Sequence, residues 1–488
     1  MKLHHPSRRF KSVVSICQFV GLFSLSTWIG IHTEQAQAAE WSGWVDGEIR
    51  AYGETGEQVG HQVYPSMAMQ LDYANKLNDD NQLTASLFGR GDTTDSQRNL
   101  FDIRELLWLH SADNYQFRAG VGQVSWGVNE IFKITDVINQ KDRAEIPFPR
   151  KLGQPLMSLS FYHGDDLIEL YALYGLRKAW FPGEDGRLRY PILVDPSHAE
   201  YDWGATGQFD FAGRWKTHIG DLDLAFSHFY GMSRDPYFIF NYDFNHPYLI
   251  PVYEKVNQSS MEMQYDWHDV LFKGEAMFQT GSIERYGSIA GGFEYTFGSI
   301  FNSGKDLTWY VEGIWDSRHH VYTSLFDHDV GIVGRLAFND THDSNLALGV
   351  VADTHYNEMF GTLFWTSTFG EAWSLNVTGQ YFMGNGHRYD PQKYVPFFEQ
   401  FVQENPVSQA SVDKFLSLIG TVTISEKQYE RLKQFIDDAA TTPNYWNGVD
   451  VYSVPQTLFD LLRVSDNSQK MNLIERDSYI QVDVYYHF

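Results

Sequence analysis

Hydrophobic and polar positions alternate along most of the chain, and the final segment DSYIQVDVYYHF shows the pattern plainly. Ile480, Val482 and Val484 share one parity, whereas Gln481 and Asp483 share the other. Because successive side chains of a strand point to opposite faces, this pattern predicts a strand with one apolar and one polar face. Similar segments of about ten residues recur throughout, which is the length a tilted strand needs to cross a bilayer.

The alternation predicts an all-β fold, a single-chain antiparallel outer-membrane β-barrel of eighteen strands. The alternative is a barrel of sixteen strands, because segments 99–110 and 203–215 alternate less cleanly. The predicted strands are 43–53, 63–74, 81–91, 99–110, 114–124, 154–162, 166–174, 203–215, 220–231, 257–267, 269–280, 286–298, 306–316, 328–338, 344–354, 360–369, 371–383 and 477–488.

Connection lengths support this assignment. With both termini on the periplasmic side, every even-numbered connection is short and polar, including a turn predicted at 216–220. Most of the long connections fall on the other side, as they do in outer-membrane barrels. The long connections are 54–62, 125–153, 175–202, 232–256 and 384–476.

The last connection changes period and predicts three short amphipathic helices. Their apolar positions follow helical spacing, and two of the helices begin with Ser and Gln in capping-box register. The helix residues concerned are Val412, Phe415, Leu416, Ile419 and Gly420; Ser425, Gln428, Tyr429, Leu432, Phe435 and Ile436; and Ser453, Gln456, Leu458, Leu461 and Leu462. Two placements remain open: a helical knob packed on itself, or a lid or plug that enters the lumen.

The N-terminus has a basic region, an apolar run and an Ala-x-Ala site that predicts cleavage after Ala38. The alternative is an uncleaved anchor helix. The predicted organisation is a signal peptide at 1–38, barrel strands 1–17 within 39–386, a helical insertion (lid, plug or extracellular knob) at 387–470, and the final strand within 471–488. The predicted location is the outer membrane of a Gram-negative cell.

Composition excludes several classes of function. Removing residues 1–38 takes away four basic residues and one acid, which lowers the net charge from −25 to −28 and argues against nucleic-acid binding. The single cysteine, Cys17, lies in the predicted signal peptide. The chain has no Gly-x-Ser-x-Gly elbow, His-Glu-x-x-His helix or phosphate loop, and His319-His320 is interpreted as part of a solvated loop. We therefore expect no enzyme activity, no metal site and no cofactor.

The polar faces of the predicted strands carry the candidate pore-lining residues. The acids are Asp46, Glu48, Asp72, Glu275, Glu294, Glu312, Asp329, Asp353 and Asp483, and the bases are Arg50, Arg90, Arg118, Lys273 and Arg335. Nine acids against five bases predict a pore that prefers cations. The alternative is that opposite charges pair across neighbouring strands, so that the charged side chains of the interior only satisfy one another.

Segment 125–153 is the most distinctive connection. Its candidate constriction residues are Trp126, Gly127, Asp136, Asn139, Asp142 and Arg143. Glycine permits close backbone approach, Asp and Asn favour turns, and charged side chains set selectivity when they reach a pore. The segment is either a folded loop that braces the barrel mouth or an inward-folded constriction.

The sequence Gly122-Gln123, then Trp126-Gly127, then DVINQKD resembles a family of large bacterial outer-membrane barrel proteins of uncertain function. The chain departs from that pattern at Val121, where Arg is usual, and at Gln140, where Pro is usual. The resemblance implies a porin-like barrel, and some members are associated with the export of hydrophobic compounds. The terminal Phe488 resembles the signal that the barrel-assembly machinery recognises.

Passage of solutes across the outer membrane is the function expected from these features. The alternatives are a component of an export pathway for hydrophobic or polymeric compounds, and a surface-interaction barrel with an occluded pore. The expected partners are outer-membrane lipid, lipopolysaccharide and the barrel-assembly machinery, and the oligomeric state stays open.

Overall fold

A computed structural model describes residues 39–202, 207–241, 243, 246–318, 324–386, 395–404, 406–419, 426–442, 453–465 and 470–488. Outside this description lie the predicted signal peptide at 1–38, His319, His320, Gly420 and Ser425. The side chains of Leu416, Ile419, Gln428, Tyr429, Leu432, Ser453 and Leu462 also lie outside it.

Eighteen antiparallel strands form one closed barrel, because β1 pairs with both β2 and the last strand. The strands are β1 Glu40–Tyr52, β2 Val63–Lys76, β3 Asn81–Asp92, β4 Leu100–Ser111, β5 Tyr115–Gly122, β6 Gln154–His163, β7 Asp166–Tyr174, β8 Phe209–Ile219, β9 Leu222–Met232, β10 Lys255–Trp267, β11 Val270–Thr280, β12 Arg285–Phe297, β13 Asp306–Asp316, β14 Asp329–Ala337, β15 Asn345–Asp353, β16 Met359–Phe369, β17 Trp373–Met383 and β18 Tyr479–His487. The predicted fold class and the count of eighteen are confirmed.

The largest error in the predicted strands concerns β8, which covers 209–219 instead of 203–215. The polar run Lys216–His218 suggested a turn, but these residues pair with β9 inside the strand. The real turn is shorter and lies at 220–221, where Gly220 has a φ of +65°. A polar run is ambiguous here because strands in a barrel carry polar residues on the lumen face.

The connections alternate as predicted between two ends of the barrel. All connections at one end, here called the short-turn end, are brief, for example 112–114 and 164–165. The opposite end, here called the long-loop end, carries connections 123–153, 175–208, 233–254 and 384–478. Short strands pair within these long connections, at Lys141–Asp142 with Arg150–Lys151 and among Glu200–Tyr201, Tyr237–Phe240 and Leu249–Tyr253.

The outward face of the barrel is apolar and bordered by aromatic residues at both ends. Trp41, Trp267 and Trp373 are exposed at the short-turn end, and Tyr174 and Trp315 are exposed at the long-loop end. Ile332, Val350 and Val482 are exposed between the two borders. An apolar belt between two aromatic girdles is the lipid-facing surface of an outer-membrane barrel.

The described part of the last connection contains four helices: α1 Val395–Gln403, α2 Gln409–Ile419, α3 Glu426–Thr441 and α4 Ser453–Ser465. Helices α2, α3 and α4 match the three predicted helices, whereas α1 was not predicted. Together they are called the helical layer below. None of the helices in the described residues has both the length and the apolar character needed to cross a membrane.

Candidate functional site

The connection between β5 and β6, residues 123–153, folds into the lumen and is called the plug segment below. Its Glu145 bonds to Arg90 on β3, while Glu275 on β11 and Glu312 on β13 accept hydrogen bonds from its backbone. Strands nine positions apart in a ring of eighteen lie opposite each other, so β11 and β13 lie almost opposite β3. The plug segment therefore crosses the bore, as the constriction interpretation of this segment proposes.

On one side, two wall carboxylates hold the plug backbone. Glu275 accepts hydrogen bonds from the N–H groups of Val128 (2.7 Å), Asn129 (2.8 Å), Ile134 (2.9 Å) and Thr135 (3.1 Å). Glu312 accepts them from Glu130 (2.7 Å), Ile131 (2.8 Å) and Phe132 (3.0 Å). Backbone N–H groups buried away from water need acceptors, and these seven are not part of a β-ladder. The two carboxylates supply those acceptors through charge-assisted bonds.

On the opposite side, an ion-pair network holds the plug. Glu145 accepts hydrogen bonds from Arg50 (3.0 Å), Arg90 (2.7 Å) and Arg98 (2.9 Å), and Arg90 also bonds to Asp142 (2.9 Å). Burial raises the pKa of the Glu145 carboxyl, but the three guanidinium groups outweigh burial and hold this pKa well below its usual range. Glu145 therefore stays ionised and keeps its partners at neutral pH.

Two of the predicted constriction residues, Asn139 and Gly127, have structural roles within the plug segment. The buried Asn139 side chain bonds to the backbone of Gly122, Val124 and Leu152, and so joins the two ends of the segment. Gly127 has a φ of +96°, and a Cβ there would lie 2.9 Å from Oε1 of Glu275. Only glycine fits this position without strain.

The remaining predicted constriction residues have separate contacts. Trp126 is buried and packs edge-on against Tyr171 with ring centroids 5.9 Å apart. Asp136 pairs with Lys151 at 2.6 Å, and Arg143 pairs with Asp235. All six predicted residues therefore lie in the folded plug, and their influence on selectivity stays a prediction.

A cavity of about 1010 Å³ runs beside the plug segment. It borders the turn residues 78–81 at the short-turn end and reaches Phe181 and Tyr190 at the long-loop end. Between these points one side is formed by plug residues such as Phe132 and Lys133, and the other by wall residues such as Gln279. The barrel interior thus keeps an unfilled space along the plug.

The predicted pore-lining residues all lie on inward-facing strand positions and are buried or half-buried. Five of them hold the plug segment: Arg50, Arg90, Lys273, Glu275 and Glu312. Of the whole predicted set, Asp72 alone borders the described cavity. The predicted surplus of acids was counted on the bare wall, so it does not describe the surface that a solute in this cavity would meet.

Sequence reasoning missed several residues that join the plug to the barrel, above all Glu145, Arg98 and Glu130. Glu130 pairs with Lys273 at 2.8 Å, and Arg98 belongs to a short 3₁₀ turn between β3 and β4. Their partners are far away along the chain, so no local spacing identifies them. For Glu130 and Glu145, the one available signal was the presence of charged residues in a long connection that also contains glycine and proline.

The helical layer packs across the long-loop end. Phe398, Phe415 and Leu458 of the helices share one apolar cluster with Phe181 and Phe238 of the long connections. Ion pairs join Arg463 to Glu57 in the β1–β2 connection and Arg431 to Glu200 in the β7–β8 connection, about a third of the ring apart. The helices therefore pack on neighbouring loops as well as on one another.

No protein-family model and no curated protein sequence matches this chain. Solved structures similar to it include Wzi from Escherichia coli, described as an outer membrane protein involved in group 1 capsule assembly and a carbohydrate binding β-barrel. That likeness has 10% identity, a TM-score of 0.44, and coverage of 71% of this chain and 81% of Wzi. The likeness to OccK8 (OprE) of Pseudomonas aeruginosa has 8% identity and a TM-score of 0.44, and it covers 70% of this chain and 94% of OccK8. The likeness to OccAB4 of Acinetobacter baumannii has 8% identity and a TM-score of 0.43, and it covers 71% of this chain and 94% of OccAB4. These likenesses concern the barrel fold alone.

Proposed function

We propose that this protein is an outer-membrane channel that passes small solutes along the plug segment, beneath the helical layer. The observation that carries the proposal is the continuous cavity from turn 78–81 to Phe181 and Tyr190. A barrel whose interior served only as a support would gain stability by packing this space with side chains. The proposal keeps the passage of solutes expected from the sequence, but it does not keep the cation preference counted from the wall.

The plug segment is proposed to set the width of the passage. It is bonded to both sides of the bore, so it narrows the lumen to the space that remains beside it. The helical layer is proposed to limit access at the long-loop end, where it packs over Phe181. Lipid and lipopolysaccharide around the aromatic girdles, and the barrel-assembly machinery during biogenesis, remain the proposed partners, and no enzyme activity is proposed.

A surface-interaction barrel with an occluded pore is the second candidate. It is favoured by the helical layer, which packs across the long-loop end. Helices that span the mouth present their outer face to the cell exterior, if the short-turn end is periplasmic. Export of hydrophobic compounds rests on the sequence resemblance alone. The short connections at the other end offer little surface to a periplasmic partner.

Single-channel conductance in a planar bilayer tests the channel proposal. Three forms are compared: the intact barrel, a form without the helical layer, and a form with residues 124–152 replaced by a short Asn-Gly turn. The helical layer can be removed because Asn385 and Asn472, which flank it, bond at 2.7 Å. The plug segment can be replaced by a short turn because β5 pairs directly with β6. Each form must first show the heat-modifiable gel mobility of a folded barrel.

We expect small current steps from the intact protein and much larger steps after plug replacement. Removing the helical layer should raise the frequency of openings more than their size, because the plug would still set the width. Absence of current in all three folded forms would reject the channel and favour the surface-interaction barrel. Large steps after helix removal alone would make the helical layer the main barrier.

A further inference from the structure

The charge that borders the cavity differs in sign from the charge of the whole chain. Eight acids and ten bases border the cavity, and five acids and nine bases remain when Glu40, Lys76, Asp79 and Asp80 at the short-turn end are set aside. The acids are Asp72, Glu105, Asp136, Asp235 and Asp316, and the bases are Arg104, Lys133, Lys141, Arg143, Arg150, Lys151, Arg189, Arg234 and Arg318. The passage is therefore basic in a protein whose net charge is −25.

Local pairing leaves part of this positive charge available. Asp136, Asp235 and Asp316 are each paired, with Lys151, Arg143 and Arg318 respectively. Within the described part of the chain, Lys133 and Lys141 make no ion pair, and both side chains are half-buried on the cavity side of the plug. Lysines held in a narrow, low-dielectric passage attract anions more strongly than exposed lysines do.

The positions of the bases reinforce one another. Burial raises the pKa of Asp136, but Lys151, Lys141 and Lys133 together outweigh burial and lower it. Burial likewise raises the pKa of Asp235, and Arg143, Lys141 and Arg318 lower it. Lys141 thus lowers the pKa of both carboxylates, so its positive charge lies near both acids.

The same cavity has an apolar side. Phe132 packs against Phe326 with ring centroids 5.5 Å apart, and Phe148 packs against Phe360 at 5.9 Å. Phe132, Phe148 and Phe326 border the cavity together with aliphatic residues including Ile134 and Leu325. A few placed charges beside an aromatic surface are typical of sites for organic ligands.

We propose that the cavity beside the plug segment is a binding site and selective passage for organic anions, with Lys133 and Lys141 meeting the anionic group and Phe132, Phe148 and Phe326 meeting a ring-sized apolar body. This inference rests on the proposed channel function and names its substrate class. The wall carboxylates Glu275 and Glu312 do not oppose it, because both accept hydrogen bonds from the plug backbone and neither borders the cavity. Selectivity therefore follows from the plug segment and not from the strands.

Reversal potentials measured in a tenfold KCl gradient test the sign of selectivity. We expect the intact barrel to prefer chloride over potassium by about threefold. The double variant K133Q/K141Q should lose that preference. The matched double variant K414Q/K433Q removes the same charge from exposed helix positions that do not border the cavity, and it should keep the preference.

Blocking of the current by four small probes tests the ligand class. The probes are 2-naphthoate, neutral 2-naphthamide, cationic 2-naphthylmethylammonium and acetate, which separate the anionic group from the apolar body. We expect 2-naphthoate to block at a concentration at least about tenfold lower than any other probe, because it alone offers both features. K133Q/K141Q should weaken this block, whereas K414Q/K433Q should not.

The outcomes separate this inference from the channel proposal. Current steps with cation preference, or without any preference for 2-naphthoate, would overturn the inference and leave the channel standing. Absence of steps would reject the channel, and titration calorimetry of the folded barrel with 2-naphthoate would then decide binding alone. Heat of binding that is lost in K133Q/K141Q and kept in K414Q/K433Q would support the site, and absence of heat in the intact protein would overturn it.

Discussion

The plug segment and the helical layer are both long connections from the same end of the barrel, but different forces hold them. The plug is bonded to the wall by carboxylates, arginines and backbone N–H groups. The helical layer is held mainly by apolar side chains that pack on one another and on neighbouring loops. Because the barrel lumen is lined by charged strand positions, a connection enters it only if it brings matching polar partners.

Release of the plug from its carboxylate side should have the largest effect. In E275Q/E312Q each carboxylate becomes an amide with one acceptor oxygen, so several of the seven plug N–H groups lose their partner. A buried N–H group left unpaired costs about 1–3 kcal/mol. We expect the plug segment to leave its position and single-channel conductance to rise several-fold.

The control for this experiment is E169Q, which alters an inward-facing carboxylate on β7 that bonds to Tyr171 and not to the plug. Its conductance should match that of the unmodified protein. Equal conductance in E275Q/E312Q and the unmodified protein would contradict the role assigned to the two carboxylates.

Loss of the ion-pair side should have an intermediate effect. E145Q removes the negative charge that Arg50, Arg90 and Arg98 share, and loss of one partner from a buried ion network costs about 3–5 kcal/mol. We expect a clearly lower urea midpoint for unfolding of the barrel. Conductance should rise less than in E275Q/E312Q, because the backbone bonds to Glu275 and Glu312 remain.

The matched control is D79N, which breaks the exposed pair Lys76–Asp79 at the short-turn end. Exposed ion pairs contribute little, so its urea midpoint should not move measurably. An unchanged midpoint in E145Q as well would show that the arginines find other partners without Glu145.

A substitution inside the helical layer should have the smallest effect on the barrel. F415A removes a fully buried ring that packs against Phe398, Phe401 and Phe435, and such truncations cost about 3–5 kcal/mol. We expect faster proteolysis within 395–465, with barrel unfolding and single-channel conductance unchanged. The exposed neighbour variant D413A should be cleaved at the original rate.

A large change of conductance in F415A would contradict the distinction between the two connections. It would show that the helical layer, and not the plug segment, sets the width of the passage.

The barrel itself could be predicted from the sequence because the patterns that indicate it are local. Alternation and connection length are read from consecutive stretches of the chain, and they predicted eighteen strands with errors mainly at β8. Helices α2, α3 and α4 were predicted by the same kind of local spacing. Helix α1 was missed although Phe398 and Phe401 both lie in its buried face.

The contents of the lumen were decided only by tertiary structure. Glu312 lies about 180 positions from the plug residues it bonds, and Glu145 lies 95 positions from Arg50. No spacing rule connects such partners, because closure of the barrel alone brings them together. The sequence by itself therefore determined the wall, its lipid-facing side and the lengths of its connections. Folding in three dimensions decided which connection fills the bore, and hence that basic plug residues such as Lys133 and Lys141 border the cavity, whereas Asp72 is the one predicted pore-lining residue that does.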